Sequence, residues 1–290
     1  MHCMDKKIHE ENRLSWNAAT VAHNSHKGDQ AAFFRRGGST LFPEERELLG
    51  DVNGLSVVHL QCNSGQDSLS IARLGASVTG VDISDTAIDF ARSLSQESGI
   101  PATFHRMDVY DWLAEAAHDS QRFDIVFCSY GALCWLSDLP LWAQGIAAVL
   151  KPGGRFIVID FHPVCMLYEW DMERRYPYFT EGRAFTEESG VSDYVALSDT
   201  GLLFGTSGEE GVKDFKNPHR SHLYSWNISE ILGALLGSGL TLTEFKEYPY
   251  SNGFKPFQNM QELPDQRWQL PPEQPNLPLM YSIVAQKAVR

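Results

Sequence analysis

Asp82 closes a short apolar run at 78–81, Gly65 ends the loop that follows another at 57–60, and Asp108 stands just past a third strand-like stretch at 102–107. Backbone that a ligand can approach closely, beside a carboxylate at the carboxyl ends of adjacent parallel strands, is how α/β sheets hold a ribose-bearing cofactor. Gly65 lets N–H and C=O groups reach a ligand with no Cβ in the way, and Asn63 is the next most tolerant type for a left-handed turn. The loop has one glycine and no Lys or Arg, which argues against a G-x-G-x-x-G or Walker cradle and points to a cofactor without a pyrophosphate. Asp82 can accept from both ribose hydroxyls; its alternative duty is to cap the helix that Ser84 begins. Asp108 can accept from an exocyclic adenine amine or cap the helix after it.

These groups need a parallel sheet to bring them to one edge. From 56 to 159 the chain alternates strand and helix patterns at the spacing of βαβ units. Strands are expected at 56–61, 77–82, 102–107, 123–128 and 154–160, with helices at 66–75, 84–98, 109–116 and 138–150. In the second of these helices Ser84 supplies a cap, Asp85 complements the dipole, Ala87, Ile88, Ala91 and Leu94 make one apolar face, and Gly99 ends it. Ser137 is expected to cap the helix at 138–150, with Pro140 in its first turn. Residues 161–220 lose periodicity and gain aromatics and charge, which reads as an insertion over the sheet edge. A structureless stretch that long is rare in a compact domain, so strands are expected at 194–197 and 202–206. Beyond it, Asn227 or Ser229 caps a helix to about 236, a strand follows at 240–245, the proline-rich tract 249–278 reads as an extended wrap, and 279–286 as a last strand. The organisation expected is a helical lid segment at 1–55, a cofactor-binding core at 56–160, a substrate-cap insertion at 161–220 and a completion of the sheet at 221–290.

The 290 residues are 43% hydrophobic and carry a net charge of −13, which supports a packed core and opposes nonspecific binding to phosphate backbones. Basic doublets at Lys6-Lys7, Arg35-Arg36 and Arg174-Arg175 are too short for a nucleic-acid footprint. No apolar run approaches the ~20 residues of a membrane span, and residues 1–13 have neither signal nor transit bias. A cytoplasmic protein with no membrane and no nucleic-acid partner is expected. Cys3, Cys62, Cys128, Cys134 and Cys165 lack zinc-site spacing and read as free thiols. His23 and His26 resemble half of a metal site with nothing to complete it; they read as a solvated helix face, and no metal is expected.

Five segments taken together resemble the successive motifs of class I S-adenosylmethionine-dependent methyltransferases, in order and spacing across about 40–160. They are Val57-Val58-His59-Leu60-Gln61-Cys62-Asn63-Ser64-Gly65, Val81-Asp82-Ile83-Ser84, Met107-Asp108-Val109, Phe123-Asp124-Ile125-Val126 and Leu150-Lys151-Pro152-Gly153-Gly154. His59, Gln61 and Asn63 stand where Asp, Gly and Gly are usual. A bacterial small-molecule branch has a similar His-Leu-Gln-Cys start, and the stretches at 224–226, 248–251 and 278–282 also resemble it. The resemblance implies an α/β fold with a Rossmann-like sheet of seven strands, the last antiparallel, an insertion after the fifth strand, and S-adenosyl-L-methionine as cofactor. It implies Gln61, Cys62, Asn63 and Gly65 at the methionine portion, Asp82 and Ile83 at ribose and adenine, Asp108 and Val109 at adenine, and Ser129 beneath the sulfonium. Phe34, Gly37 and Gly38 are implied as a lid over the cofactor.

Methyl transfer from a sulfonium is an in-line displacement at carbon, so positioning in a water-poor pocket supplies much of the acceleration. A hydroxyl acceptor also needs a general base, for which His162 is the first choice, since it follows the fifth strand on the side where an acceptor enters. Tyr130, Trp135, Tyr168 and Tyr178 are candidates to line the acceptor pocket. The expected function is methyl transfer to an O, N or S atom of a small molecule, by a monomer or homodimer. The alternatives are an RNA methyltransferase on the same fold, a nicotinamide-dependent oxidoreductase, which the missing G-x-G-x-x-G disfavours, and a non-catalytic S-adenosylmethionine-binding protein.

Overall fold

A computed structural model describes residues 5–197, 210–274 and 276–289. Three helices, α1 (Lys6–Ser25), α2 (Gln30–Arg35) and α3 (Pro43–Leu49), precede the alternating core. The core runs β1 (Ser56–Leu60), α4 (Gln66–Arg73), β2 (Ser77–Asp82), α5 (Asp85–Ser98), β3 (Thr103–Arg106), α6 (Val109–His118), β4 (Phe123–Ser129), α7 (Leu139–Val149) and β5 (Leu150–Phe161). Then come β6 (Ala184–Glu187), α8 (Tyr194–Leu197), β7 (Ser221–Tyr224), α9 (Ile228–Gly237), β8 (Thr241–Tyr248), β9 (Tyr250–Asn252), β10 (Gln261–Leu263), β11 (Arg267–Gln269) and β12 (Met280–Gln286).

Seven strands form one sheet in the order β3-β2-β1-β4-β5-β12-β8. Strands β1 to β5 pair in parallel, and β12 is antiparallel to both of its neighbours. This is the expected Rossmann-like α/β sheet with its last strand antiparallel. Strand order reverses between β1 and β4, and at such a switch point the carboxyl ends of the strands open a crevice. Val57, Val58, His59 and Leu60 of β1 are all buried, as a central parallel strand covered on both faces requires. One face packs Trp142 edge-on against Phe156, ring centroids 5.2 Å apart, and the other packs Leu49, Ile71 and Phe127. Burying a side chain such as Phe156 contributes about 1.5–3 kcal/mol.

Caps follow the sequence with one exception, at α7. Ser84 Oγ accepts from the Ala87 N–H at 3.1 Å and Gly99 ends α5 at a φ of 73°. Asn227, not Ser229, caps α9, in a reciprocal box with Glu230. Asp138 caps α7 in place of Ser137, whose Oγ lies 2.8 Å from His9 Nε2. β5 starts at Leu150, so the turn-like Lys151-Pro152-Gly153-Gly154 belongs to the strand.

Two expectations for irregular segments are corrected. Residues 194–197 form the single helical turn α8, because Asp193 Oδ1 accepts from the Ala196 N–H at 3.3 Å and closes a turn. The expected strand at 202–206 lies outside the described residues. The proline-rich tract folds into a small antiparallel sheet, β10-β11-β9, whose tight turn places Asp265 and Gln266 at φ of 64° and 56°. Among the described residues, no helix is long and apolar enough to cross a membrane.

Candidate active site

A cavity of about 610 Å³ opens at the carboxyl ends of β1, β2 and β4. Its lining includes Gln61, Cys62, Asn63, Asp82, Ile83, Asp108 and Val109, with Ser129 and Tyr130 after β4 and the aromatic side chains of Trp135, Phe161, Tyr168, Tyr176, Phe185 and Phe254. Helix α1 roofs it through His9, Asn12, Trp16 and His23. These four recur on one helical face. The roof is stitched to β7, since Asn12 donates to the His222 carbonyl at 2.9 Å and accepts from its N–H at 2.7 Å.

The loop after β1 makes room without the glycines that are usual there. Gln61 and Asn63 take left-handed φ angles of 55° and 47°, which Asn tolerates and Gln adopts under strain. Two bonds hold them: Gln61 Nε2 donates to the Ala132 carbonyl at 2.6 Å, and the Asn63 N–H donates to Asp82 Oδ2 at 2.8 Å. Asp82 Oδ1 accepts from the Ser84 N–H at 2.8 Å, so this carboxylate shapes the loop and leads into α5 together. Burial pushes the Asp82 carboxyl up, while the Ser84 and Asn63 amides pull it back. Each of its oxygens keeps a lone pair for another donor.

Asp108 caps α6, its Oδ1 accepting from the Tyr110 N–H at 2.9 Å. Its Oδ2 lies 2.6 Å from His9 Nδ1 and 3.2 Å from Lys6 Nζ. Burial works to raise this carboxyl, but the His9 hydrogen bond and charge outweigh it and leave it below the usual carboxylate range. Ser129 Oγ lies 3.4 Å from Nε2 of His59, whose Nδ1 lies 2.9 Å from Ser68 Oγ. His59 thus links β1, α4 and the end of β4.

Several expected site residues stand elsewhere. Gly65 is absent from the cavity lining; it caps α4 at a φ of 77°, and a Cβ there would stand 2.7 Å from Ala91. Phe34 is fully buried with Phe33, Leu69 and Ala91, and a Cβ on Gly38 would meet the Phe33 ring at 2.5 Å. This segment packs on α4 and α5 because its phenylalanines seek that core, so neither Phe34, Gly37 nor Gly38 reaches the cavity, and α1 with Thr40 and Phe42 covers it instead. Tyr178 packs edge-on to Phe179, and its hydroxyl accepts from the Ile228 N–H at 3.4 Å, outside the lining. His162 is also outside: Nδ1 accepts from the Val164 N–H at 3.2 Å and Nε2 lies 3.0 Å from Glu247 Oε1. His23 and His26 are buried rather than solvated, their Nε2 atoms each 2.9 Å from an acceptor, the Ser192 carbonyl and Asp193 Oδ2.

Burial holds His59 down to about 3 and His23 down to about 4, against an unfolded value of about 6.5. The unfolded chain therefore takes up protons first on acidification, so this stability is fully present above about pH 6.5 and is lost as the pH falls through the folded values. His59→Gln should flatten the decline in Tm between about pH 6.5 and 4. A slope equal to that of the unsubstituted chain would show that His59 is not held neutral.

Residues 57–154 match a family model described as a methyltransferase domain. Among solved structures, an S-adenosylmethionine-dependent methyltransferase from Mesorhizobium loti aligns over 87% of this chain and 100% of its own, with a TM-score of 0.53 at 20% identity. DhpI, solved as a complex with SAH, aligns over 99% and 100%, with a TM-score of 0.53 at 14% identity. The likeness at these identities is one of fold. Residues 57–154 carry a methyltransferase domain. The chain is similar to the ubiquinone biosynthesis O-methyltransferase of Proteus mirabilis, 37% identical over 101 residues that make up 35% of this chain and 40% of that one. To the enzyme of that name from Chelativorans sp. it is 30% identical over 145 residues, 49% and 55% of the two chains. The chain spans about half the length of the curated relatives it matches.

The cavity has lining residues that the sequence did not single out. Asp160 is the penultimate residue of β5, near its carboxyl end as Asp82 is at that of β2, and it accepts from the N–H groups of Gly131, Leu133 and Phe161, tying the loop after β4 to β5. That shared position at a strand end was the available signal. Trp16 meets Trp135 edge-on at 5.4 Å, and its helical spacing from His9 and Asn12 was legible. Lys27, Thr40, Asp67 and Asn252 also line the cavity and carry no motif of their own.

Proposed function

We propose that the chain transfers the methyl group of S-adenosylmethionine to a hydroxyl oxygen on a small, flat, largely apolar acceptor. The observation that carries this reading is the continuity of one cavity from the strand-end carboxylate Asp82 to an aromatic chamber under α1. When bound, the cofactor supplies a methyl group made electrophilic by its sulfonium. Asp82 would take the ribose hydroxyls with the lone pairs its backbone donors leave free, and Ile83, Met107 and Val109 would flank the adenine. Asp108 retains one lone pair on Oδ1 for an amine. Gln61 Oε1 is buried without a partner among the described residues, an acceptor that an ammonium group would satisfy.

The aromatic lining of Trp16, Trp135, Tyr168, Tyr176 and Phe185 suits a ring, and α1 contributes Trp16 to it. His59 and His23 are held at values too low for efficient proton removal near neutral pH. An acceptor whose hydroxyl is already acidic, such as a phenol, needs the least help there. The relatives' designation as O-methyltransferases supports an oxygen acceptor. The test is incubation of the full chain and S-adenosylmethionine with matched panels of phenols, thiols and amines, read by mass spectrometry. Phenols should gain one methyl group; methylation confined to thiols or amines would reject the oxygen reading.

His162 lies outside the cavity, so we expect His162→Ala to change kcat by less than about tenfold, where loss of a general base costs about 100-fold or more. Its effect should fall on Tm instead, because the Val164 N–H and Glu247 lose their partner. A hundredfold loss of kcat with unchanged Tm would restore His162 as the base.

A further inference from the structure

The small sheet of the proline-rich tract is fastened to α3 through one buried carboxylate. Glu44 Oε1 accepts from the Tyr250 hydroxyl at 2.7 Å and from the Arg267 guanidinium at 2.6 Å, and its Oε2 accepts from Asn252 Nδ2 at 3.1 Å. Burial works to raise the Glu44 carboxyl, but hydrogen bonds led by that of Tyr250 outweigh it and leave it below the usual carboxylate range. An ionised carboxylate only accepts, so the amide nitrogen of Asn252, and not its oxygen, must face Glu44. The same Nδ2 donates to the Tyr130 hydroxyl at 2.9 Å.

With both of its N–H bonds committed, the Asn252 amide is fixed in orientation and its oxygen is left over. Asn252 is 2% exposed, and among the described residues its Oδ1 is buried without a partner. A buried acceptor left unmatched is costly, and native structures seldom keep one unless a ligand or water completes it. Asn252 belongs to the cavity wall together with Tyr130, Phe161 and Phe254. Those rings are contiguous, with centroids 5.6 Å apart from Tyr130 to Phe161 and 4.8 Å from Phe161 to Phe254. The unmatched oxygen thus belongs to the part of the wall against which a flat acceptor would lie.

We propose that Asn252 selects the methyl acceptor, its Oδ1 taking a neutral O–H or N–H donor that the acceptor carries apart from the atom to be methylated. The proposal rests on the oxygen-acceptor reading above and narrows it to a ring with two polar groups, the second one uncharged. A carboxylate in that place offers no donor and would lie close to the Glu44 charge. The test measures kcat/KM of the full chain, with S-adenosylmethionine, on the benzenediols, the cresols and the hydroxybenzoates, which present a donor, a methyl group or an anion at each position of a phenol ring. One diol should exceed its matching cresol by roughly 5- to 150-fold, the range expected when a buried acceptor is left unmatched, and the hydroxybenzoate of that pattern should fall below both. Asn252→Ala should reduce the ratio of that pair to the statistical advantage of a second equivalent hydroxyl. Diols that never exceed their cresols by more than this advantage overturn the inference without recourse to a variant. A hydroxybenzoate that matches its diol overturns it also, as does an undiminished ratio in Asn252→Ala. Diols and cresols methylated alike leave the oxygen reading standing, whereas no methyl gain on any of these phenols removes that reading and this inference with it, which separates the two failures.

Discussion

Asp82→Ala is expected to weaken S-adenosylhomocysteine binding by about 1.5–3 kcal/mol, roughly 10- to 150-fold, as measured by calorimetry. The carboxylate accepts from the Asn63 and Ser84 N–H groups at 2.8 Å each, and it lines the cavity. Its removal takes away the proposed ribose acceptor and also strands two backbone donors, one of them in the strained loop that Gln61 and Asn63 shape. Asp82→Asn, which keeps an oxygen and the volume, should lose less. Unchanged affinity in Asp82→Ala would place the ribose elsewhere.

Gly65→Ala should destabilise the fold by about 2–5 kcal/mol, the sum of a left-handed conformation forced on an L-residue and overpacking. At a φ of 77° the new Cβ would stand 2.7 Å from the Ala91 Cβ and 2.9 Å from the Phe104 ring. Gly99 is the control, because it adopts a similar φ of 73° with nothing within 4 Å of a built Cβ. Gly99→Ala should therefore cost only about 1–2 kcal/mol. Equal losses in the two variants by denaturant unfolding would mean that backbone strain alone, and not close packing of the loop on α5 and β3, sets the requirement for glycine at 65.

Much of the core was legible because its signals are local. Apolar runs of strand length, the Ser84 cap and the Gly99 stop need only neighbours a few residues away, and each is found where the sequence places it. The strand-end carboxylates followed from the same reading, since a residue that closes a parallel strand must stand at the sheet's carboxyl edge. What depended on distant contacts was not legible. Phe34, Gly37 and Gly38 precede the first strand, but whether such a segment covers the crevice or packs beside it is decided by where Phe33 and Phe34 find apolar partners. His162 follows β5 at the right distance in sequence, yet Glu247 of β8 and the Val164 N–H draw its ring away from the cavity. The loop after β1 shows the same division: Gln61 and Asn63 stand at positive φ where glycines are usual, held by the Ala132 carbonyl and Asp82, and those partners are distant in sequence.

The central claim is that the cavity between the ends of β1 and β2 and the roof α1 takes an S-adenosyl cofactor without a pyrophosphate. Calorimetric titration of the full chain, with S-adenosylhomocysteine in one experiment and NADH in another, tests it most directly. The account predicts one saturable S-adenosylhomocysteine site per chain and no heat from NADH. Saturable NADH binding, or no heat from S-adenosylhomocysteine at about millimolar ligand, would contradict it.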